Sequence, residues 1–422
     1  MFRVREEQYW IGSVTLGVLL LAGMTRPAPA ATLCVNPGGT GGCYSTINAA
    51  IAAASSHDSV RVASGTYKED VVIGKALSLV GASSSATTID ATGLSNGVYI
   101  DGLDNPGLND VLVTGFTIKN ANFEGILVTN VSSSEIYNNK VVNNDKGLDL
   151  SSSTCPGLPP FETSESDDCG EGIHLMGADH MTVANNTVTN NAGGILLSDE
   201  TAITQVNLIS GNTVENNPYD CGITLASHPP ATGTVPFGIM HNTIFNNLSS
   251  HNGTQLPGAG AGVGLFSFLA GGTVSGNVVV GNQLTNNGLP GVTFHAHTPG
   301  EILTDNVIVG NSISGNGADT EDAATPGPTG VNVFGLSALS GTIISQNTID
   351  NETLSDVVNT PTEVEVNLNN FLDAQFGIDN IGTGTANAPE NWWGCAGGPN
   401  TTGCAASGGP KVGFAPWLSM PF

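Results

Sequence analysis

The sequence predicts an all-β chain folded as a single-stranded right-handed parallel β-helix, a solenoid of about eleven coils. A short segment of glycine followed by apolar, variable and apolar residues recurs along the chain, and a second segment bracketed by asparagine recurs with it. Charged residues make up only 11% of the chain, whereas glycine occurs 56 times. Strands this short and this alike bury their apolar side chains only by stacking on the next copy.

The glycine tetrads define the coil. Their first intervals are 22, 25 and 22 residues, and later intervals are longer because of insertions. Strand side chains alternate, so the second and fourth residues face the core and the third faces outward. We therefore expect Asp149 and His174, both third residues, to be neighbours in one outward column. The tetrads are Gly125–Val128, Gly147–Leu150, Gly172–Leu175, Gly194–Leu197, Gly222–Leu225, Gly262–Leu265, Gly291–Phe294 and Gly330–Val333.

The asparagine segments supply the corners. They are clearest at Asn186–Asn191, Asn212–Asn217 and Asn242–Asn247. Asparagine tolerates the left-handed backbone that a sharp corner needs, and its amide can bond to the amide of the next coil. The segments predict ladders of stacked asparagines along the axis.

The two ends have the sequence features of caps. Residues 31–60 form the N-terminal cap, in which Thr46–Ala54 places apolar side chains on one face of a helix. Residues 61–385 form the β-helix, and residues 386–422 form the C-terminal cap and tail. We expect the pair Trp392 and Trp393 to pack on the last coil rather than to bind sugar, since buried aromatic residues dominate such caps.

The first 30 residues are typical of an export signal. Arg3 and Arg5 precede the apolar run Ile11–Ala22, which is short for a membrane span, and Ala28-Pro29-Ala30 offers a cleavage site. The whole chain carries a net charge of −26, and removing three basic and two acidic residues with the signal leaves −27. We expect a secreted or cell-surface monomer without membrane insertion. Strong negative charge excludes nucleic acid as a partner.

Seven cysteines in an exported chain favour disulfides. Cys34 and Cys43 are nine residues apart, as are Cys395 and Cys404, and Cys155 with Cys169 would close a loop. Cys221 would then be the odd thiol, although a pair Cys169–Cys221 is an alternative.

The repeats resemble those of the pectin-lyase-like superfamily of parallel β-helix proteins, over roughly residues 45 to 385. The tail Asn391-Trp392-Trp393-Gly394 is similar to that of exported bacterial members. The resemblance implies a polysaccharide or cell-surface glycan as partner. It does not supply a reaction. The Gly-His-Gly and Arg-x-Lys motifs of polygalacturonases, the methylesterase motifs and the epimerase Asp-Pro-His-Asp motif are absent. No Lys or Arg occurs between Lys146 and Lys411.

One acidic insertion beside the outward column is the best candidate site. Three interpretations remain open. His174 could act as an acid or base oriented by Asp149, with Glu171 as a further catalytic group. Alternatively Asp149, Asp167, Asp168 and Glu171 could bind Ca²⁺ through oxygen ligands. The patch could also be a solvated acidic loop; its acids are Glu162, Glu165, Asp167, Asp168 and Glu171.

Two functions follow. One is a polysaccharide-active enzyme, either a glycoside hydrolase or a Ca²⁺-dependent lyase. The other is a non-catalytic surface rod that binds glycans. A second cluster, His295 and His297 with Glu301, is interpreted as a surface pair, since no third metal ligand is evident.

Overall fold

The computed structural model describes residues 30–148, 155–163, 169–255, 260–320, 325–337 and 339–422. These residues wind as a parallel β-helix of three long sheets and one short sheet. Each strand pairs in parallel with the equivalent strand of the neighbouring coil. This is the predicted fold class, and the predicted right-handed solenoid is confirmed.

The long sheets are named A, B and C. Sheet A has 14 strands, which are Thr32–Val35, Ser59–Val62, Ser78–Gly81, Leu112–Thr114, Glu135–Tyr137, Thr182–Ala184, Leu208–Ser210, Thr243–Phe245, Val278–Val280, Val307–Val309, Ile343–Ser345, Val364–Asn367, Ala386–Asn387 and Val412–Gly413. Sheet B has 11 strands, which are Gly65–Tyr67, Thr87–Asp90, Thr117–Lys119, Lys140–Val142, Thr187–Thr189, Thr213–Glu215, Leu248–Ser250, Gln283–Thr285, Ser312–Ser314, Thr348–Asp350 and Asn370–Leu372.

Sheet C positions the candidate site. Its 12 strands are Val71–Ile73, Val98–Asp101, Ile126–Thr129, Glu171–Met176, Gly193–Ser198, Ile223–Ser227, Val263–Ser267, Val292–Ala296, Thr329–Gly335, Leu354–Asn359, Phe376–Asn380 and Ala406–Gly408. The short sheet has three strands, which are Thr204–Gln205, Ile239–Met240 and Val274–Ser275.

The apolar tetrad positions form the core stack of sheet C. Ile126, Ile173 and Ile195 are paired on successive coils and are buried. The glycine that opens each tetrad is required by packing. At Gly172 a Cβ atom would collide with Cγ1 of the core residue Val188.

The tetrad at Gly147 does not form a coil, and this expectation is wrong. Ile126 pairs directly with Ile173. A full coil needs one strand in each of the three sheets, and residues 143–148 and 155–163 contain none. Leu148 is half-buried outside the stack. Leu148 and the described residues around it therefore lie outside the stack of sheet C.

Asparagine has both of the predicted roles. In the Asn246-Asn247 pair, the first residue has φ 54° and is exposed at a corner. The second is buried, and its amide bonds to Asn212 and Asn282 on the two neighbouring coils. One such ladder runs through Asn139, Asn186, Asn212, Asn247, Asn282, Asn311, Asn347, Asn369 and Asn391.

The third asparagine segment lies in a different sheet from the first two. Its strand Thr243–Phe245 pairs with Leu208–Ser210 in sheet A, whereas the first two segments supply strands of sheet B. Both sheets are bordered by asparagine ladders, so both kinds of strand have the same sequence form.

The predicted N-terminal helix is present, and one residue of the tryptophan pair is fully buried. The helix Ile47–Ala53 begins after Thr46, whose hydroxyl accepts from the N–H of Ala49, and its buried face contains Ile47, Ala50 and Ile51. At the other end Trp393 is fully buried against Phe371, with ring centroids 5.2 Å apart. Among the described residues no helix is long and apolar enough to cross a membrane.

All three predicted disulfides are present. They are Cys34–Cys43, Cys155–Cys169 and Cys395–Cys404. Cys221 is a buried free thiol, as the first of the two pairing schemes expects.

Candidate functional site

The candidate site lies on the outer face of sheet C. Leu127, His174 and Leu196 occupy paired positions on three successive strands, as the predicted column requires. All three are buried, with exposed fractions of 3% or less, although strand alternation turns them away from the core. Segments between the strands therefore cover this face, and the expectation of an exposed column is wrong.

One covering segment is the described part of the acidic insertion, residues 155–163. The disulfide Cys155–Cys169 closes the insertion at its base. Near its far end the Thr163 hydroxyl donates to the carbonyl of Pro229, 2.5 Å away. Because Pro229 follows the strand Ile223–Ser227, the insertion reaches across two coils of sheet C and carries Glu162 over its face.

His174 is the centre of the site. Its Nδ1 lies 3.1 Å from Oε1 of Glu124 and 3.9 Å from Oε2 of Glu171. Its Nε2 lies 2.7 Å from the hydroxyl of Ser198 on the next coil. Burial lowers the pKa of His174 to about 4 and outweighs the opposing charge of Glu200. The imidazole is therefore neutral at physiological pH and can offer a lone pair.

A buried network extends from His174 along the axis. The Ser198 hydroxyl donates to Oε2 of Glu200, and Oε1 of Glu200 lies 2.6 Å from Nδ1 of His228. Burial alone would raise the pKa of Glu200, but the charge and hydrogen bond of His228 lower it below its ordinary value. Burial likewise opposes the charge on His228, and Glu200 raises its pKa. Glu200 and His228 thus form an ion pair.

Asp199 fixes the backbone beside this pair. Its carboxylate accepts from the N–H of His228 at 2.8 Å, from the N–H of Gly238 at 2.5 Å and from the hydroxyl of Ser227 at 2.9 Å. Burial raises the pKa of Asp199 to about 6 despite these bonds. These contacts hold His228 at the end of its strand.

Glu162 is the least satisfied acid of the site. It is buried, and neither carboxylate oxygen has a hydrogen-bond partner among the described residues. Burial, and then the charge of Glu200, raise the pKa of Glu162 to about 8. One oxygen each of Glu162 and Glu124 and one ring nitrogen of His174 lie within 4.8 Å of one another. A buried carboxyl group without partners keeps its proton or needs a cation.

The donor set fits a divalent transition-metal ion. Imidazole nitrogen with carboxylate oxygens suits Cu²⁺ and Zn²⁺, whereas Ca²⁺ takes an all-oxygen shell. Such an ion fits because neither oxygen of Glu162 has a hydrogen-bond partner in the described part of the chain, and one of them lies in the cluster. Ca²⁺ at Asp167, Asp168 and Glu171 stays a prediction.

The predicted site residues fall into two groups. His174 and Glu171 lie together in the buried cluster. Asp149, Asp167 and Asp168 lie outside the described residues, so their predicted roles stay predictions. Among the described carboxylates around the His174 ring, Glu124 is nearer than Glu171, at 3.1 Å against 3.9 Å from Nδ1.

Sequence reasoning missed Glu124, Ser198, Glu200 and His228. A signal for Glu124 existed, because Glu124-Gly125-Ile126 and Glu171-Gly172-Ile173 are the same tripeptide on adjacent coils. Both glutamates therefore stand at equivalent positions beside His174. No comparable repeat marks Ser198 or Glu200. The residues paired with Ser198 are Met176 and Ala226, and Glu200 follows the end of the strand Gly193–Ser198.

The second histidine cluster differs from its interpretation as a surface pair. His295 is buried, and its Nε2 lies 2.6 Å from Oδ2 of Asp319 and 3.1 Å from the hydroxyl of Thr293. His297 is half-buried and stacks on Phe268, with ring centroids 5.2 Å apart. The two rings contact each other edge to face, with centroids 5.3 Å apart, but His295 is buried and is not the surface residue that was expected.

Solved structures share the fold with this chain. The DFA-IIIase of Arthrobacter chlorophenolicus matches with 13% identity and a TM-score of 0.54 over 90% of this chain and 98% of that one. ORF18 of Geobacillus virus E2 matches with 15% identity and a TM-score of 0.53 over 83% of this chain, but the match spans only 62% of the viral protein. The catalytic domain of a GH87 α-1,3-glucanase, in complex with tetrasaccharides, matches with 13% identity and a TM-score of 0.50 over 86% of this chain and 70% of that one. Identities this low show the fold alone.

The sequence has no significant match among curated proteins. A model of one protein family matches residues 53–261 and again 161–341, and the two matches together cover more than half of the chain. The second match contains Glu162, His174 and Glu200, and the first contains Glu124 as well. The chain belongs to the family described as periplasmic copper-binding protein (NosD).

Proposed function

We propose that this chain is an exported β-helix protein that binds a divalent transition-metal ion, copper(II) first among them, through Glu124, Glu162 and His174. The observation that carries the proposal is the buried Glu162 carboxyl, which has no hydrogen-bond partner among the residues that the structure describes and lies beside a neutral imidazole. The family description supports copper. Cu²⁺ also binds nitrogen and oxygen donors more tightly than the other first-row divalent ions.

Export of the chain is part of this proposal. The family description is periplasmic, and three disulfides are typical of an oxidising compartment. The domain limits, with a signal at 1–30, a cap at 31–60, the β-helix at 61–385 and the tail at 386–422, are proposed with it.

In the bound state the protein supplies the geometry. Glu124 is held by the N–H of Glu171, 2.5 Å from its Oε2, and His174 is held from the far side by Ser198. Such an ion supplies positive charge that favours the ionised form of both glutamates. Glu162 is brought in by the insertion, so ion binding also fastens the insertion to sheet C.

We expect Glu162→Gln to weaken Cu²⁺ binding by at least about tenfold, because loss of a ligand costs no less than loss of an outer-shell partner. Isothermal titration of the metal-free protein with Cu²⁺ measures this. The matched control is Glu135→Gln, which changes an exposed glutamate on sheet A and should leave the affinity unchanged. Metal-free Glu162→Gln should unfold at the same or a higher temperature, since it removes an unsatisfied buried acid. Equal Cu²⁺ affinity of Glu162→Gln and the parent protein would contradict the site.

A second function, action on a glycan, is favoured by one observation. Glu162 has a pKa raised to about 8, whereas its neighbour Glu200 has a lowered pKa. A protonated and an ionised carboxyl side by side are the pair that glycoside hydrolysis uses as acid and base. One protein of similar fold is an α-1,3-glucanase, whose structure is a complex with tetrasaccharides.

We expect Glu200→Gln to lower the rate of glucan hydrolysis roughly a hundredfold or more, because the substitution removes the ionised carboxylate of the pair. Reducing-end release from neutral and uronic-acid polysaccharides, with EDTA or with added Ca²⁺, is the measurement. Glu135→Gln again serves as the control. Glycan binding without turnover would support the non-catalytic rod, and turnover that requires Ca²⁺ would support a lyase.

A further inference from the structure

A chain of four buried side chains leads away from the proposed metal site along the axis. Nε2 of His174 lies 2.7 Å from the hydroxyl of Ser198, and that hydroxyl donates to Oε2 of Glu200. Oε1 of Glu200 lies 2.6 Å from Nδ1 of His228. We call these four residues the relay. All of them are buried, so the hydrogen atoms of the relay can be placed by counting donors and acceptors.

Glu200 sets the direction of the relay. It forms an ion pair with His228, and an ionised carboxylate only accepts hydrogen bonds. The single hydroxyl proton of Ser198 therefore lies towards Glu200 and not towards His174. The Ser198 oxygen still has lone pairs, and the group that faces it at 2.7 Å is Nε2 of His174. Nε2 must supply the hydrogen of this bond.

The other ring nitrogen is then the one whose lone pair can bind an ion. Nδ1 of His174 lies 3.1 Å from Oε1 of Glu124 and 3.9 Å from Oε2 of Glu171. A carboxylate oxygen and a bare imidazole nitrogen repel each other unless a proton or a cation lies between them. The relay thus turns towards the acids the nitrogen that accepts a cation.

The backbone fixes the position of Ser198 independently of its hydroxyl. Its strand pairs with a strand on each side, in register with Met176 and Ala226. Its carbonyl also accepts from the hydroxyl of Thr204 at 2.5 Å. Replacing the side chain of Ser198 should therefore change the hydrogen bonding of His174 without moving the strand.

We propose that Ser198 and Glu200 are positioning residues, which hold His174 in the tautomer with hydrogen on Nε2 and direct Nδ1 to the divalent ion. This inference rests on the proposed metal-binding function. A histidine that binds a metal commonly donates its other ring N–H to a polar partner, which fixes the tautomer and the orientation of the ring. The opposite tautomer would place a hydrogen on Nδ1, donate it to Glu124 and occupy the position of the ion.

The tautomer can be measured in the metal-free protein. Long-range proton–nitrogen NMR correlations of ¹⁵N-histidine protein distinguish a ring nitrogen with hydrogen from one without, and His174→Gln identifies the His174 signals. We expect hydrogen on Nε2 in the parent protein and on Nδ1 in Ser198→Ala, which removes the acceptor. The control is Ser249→Ala, because the Ser249 hydroxyl is also buried but donates to the carbonyl of Gly262. This control should keep the parent tautomer.

Glu200→Gln reverses the relay without changing its shape. The N–H of His228 needs the glutamine oxygen, so the glutamine NH₂ group faces Ser198 and donates to it. The Ser198 proton then turns to Nε2 of His174, and the hydrogen of the ring moves to Nδ1. We expect the same NMR signature in Glu200→Gln as in Ser198→Ala.

Metal affinity is the second measurement. Ser198→Ala should weaken Cu²⁺ binding by about tenfold to a hundredfold, the usual cost of losing an outer partner of a ligand. Ser249→Ala should bind Cu²⁺ within about twofold of the parent protein. Zn²⁺, which does not broaden NMR signals, should shift the resonance of Nδ1 of His174 more than that of Nε2.

The outcomes separate the relay from the metal site. Hydrogen on Nε2 in the parent protein, lost in both relay variants, supports the relay even if no metal binds, and absence of metal binding removes the proposed function. Hydrogen on Nδ1 in the metal-free parent protein, or on Nε2 in both variants, would overturn the relay and leave the metal site standing. Equal Cu²⁺ affinity of Ser198→Ala and the parent protein would overturn the positioning role.

Discussion

Asn247→Ala is expected to lower the free energy of unfolding by about 4 kcal/mol. Asn247 is buried, and its Nδ2 donates to the carbonyl of Ile209 at 2.9 Å and to Oδ1 of Asn282 at 3.0 Å. Its Oδ1 accepts from the N–H of Asn212 at 2.9 Å and from that residue's Nδ2 at 3.0 Å. Alanine removes these four hydrogen bonds and leaves the buried N–H of Asn212 without its acceptor, and an unsatisfied buried group costs about 1–3 kcal/mol.

Chemical denaturation monitored by circular dichroism measures this loss. The control is the neighbouring residue, since Asn246 is exposed with φ 54°, a conformation that glycine adopts freely. Asn246→Gly should therefore change the stability by less than about 1 kcal/mol. Equal unfolding free energies of Asn247→Ala and Asn246→Gly would contradict a stabilising role of the asparagine ladder.

Asp356→Val is expected to stabilise the protein by about 2 kcal/mol at neutral pH. Asp356 occupies a core position, paired with the apolar Val331 on one side and Ile378 on the other. It is fully buried, and neither carboxylate oxygen has a hydrogen-bond partner among the described residues. Valine is similar in shape and matches its neighbours, so the substitution removes an unpaired polar group without leaving a cavity.

The same residue gives the stability a pH dependence. Burial raises the pKa of Asp356 well above its ordinary value, so the folded protein keeps a proton that the unfolded chain releases. The unfolding free energy is therefore highest below the ordinary pKa and falls as the pH rises towards the raised value. Glu352 acts in the same direction, because burial raises its pKa to about 7.

Thermal unfolding between pH 4 and pH 8 tests this dependence. Asp356→Val should unfold with a smaller decline across the range than the parent protein, and Asp104→Asn, at an exposed aspartate, should decline as the parent does. A parallel decline in Asp356→Val and the parent would show that Asp356 does not carry the effect.

The fold was predictable because its signals are local and repeated. Ile126, Ile173 and Ile195 stack as their spacing indicates, and the pairing Cys155–Cys169 follows from the loop that it closes. The false tetrad at Gly147 shows the limit of this reasoning. Its sequence fits a strand, but residues 143–148 and 155–163, the described residues around it, contain no strand of the other two sheets.

The candidate site was only partly predictable. His174 follows from its place in a tetrad, since the repeat fixes its direction. Glu162 belongs to the acidic insertion, and its role depends on how that insertion folds across two coils, which no periodicity encodes. Ser198 contacts His174 from the next coil, and His228 contacts Glu200 from the coil after that. These contacts depend on the pairing register and on the path of the chain after each strand, which the repeat does not encode.

The asparagine ladder gives the β-helix an electric dipole along its axis. In each link Nδ2 of one asparagine donates to Oδ1 of the asparagine on the next coil towards the C-terminus, from Asn139 to Asn391, so every side-chain oxygen in the ladder faces the N-terminal coil. Amide dipoles aligned head to tail add, as peptide dipoles do in an α-helix. The C-terminal end therefore carries the positive pole, and two copies that meet end to end are electrostatically matched only when they point the same way.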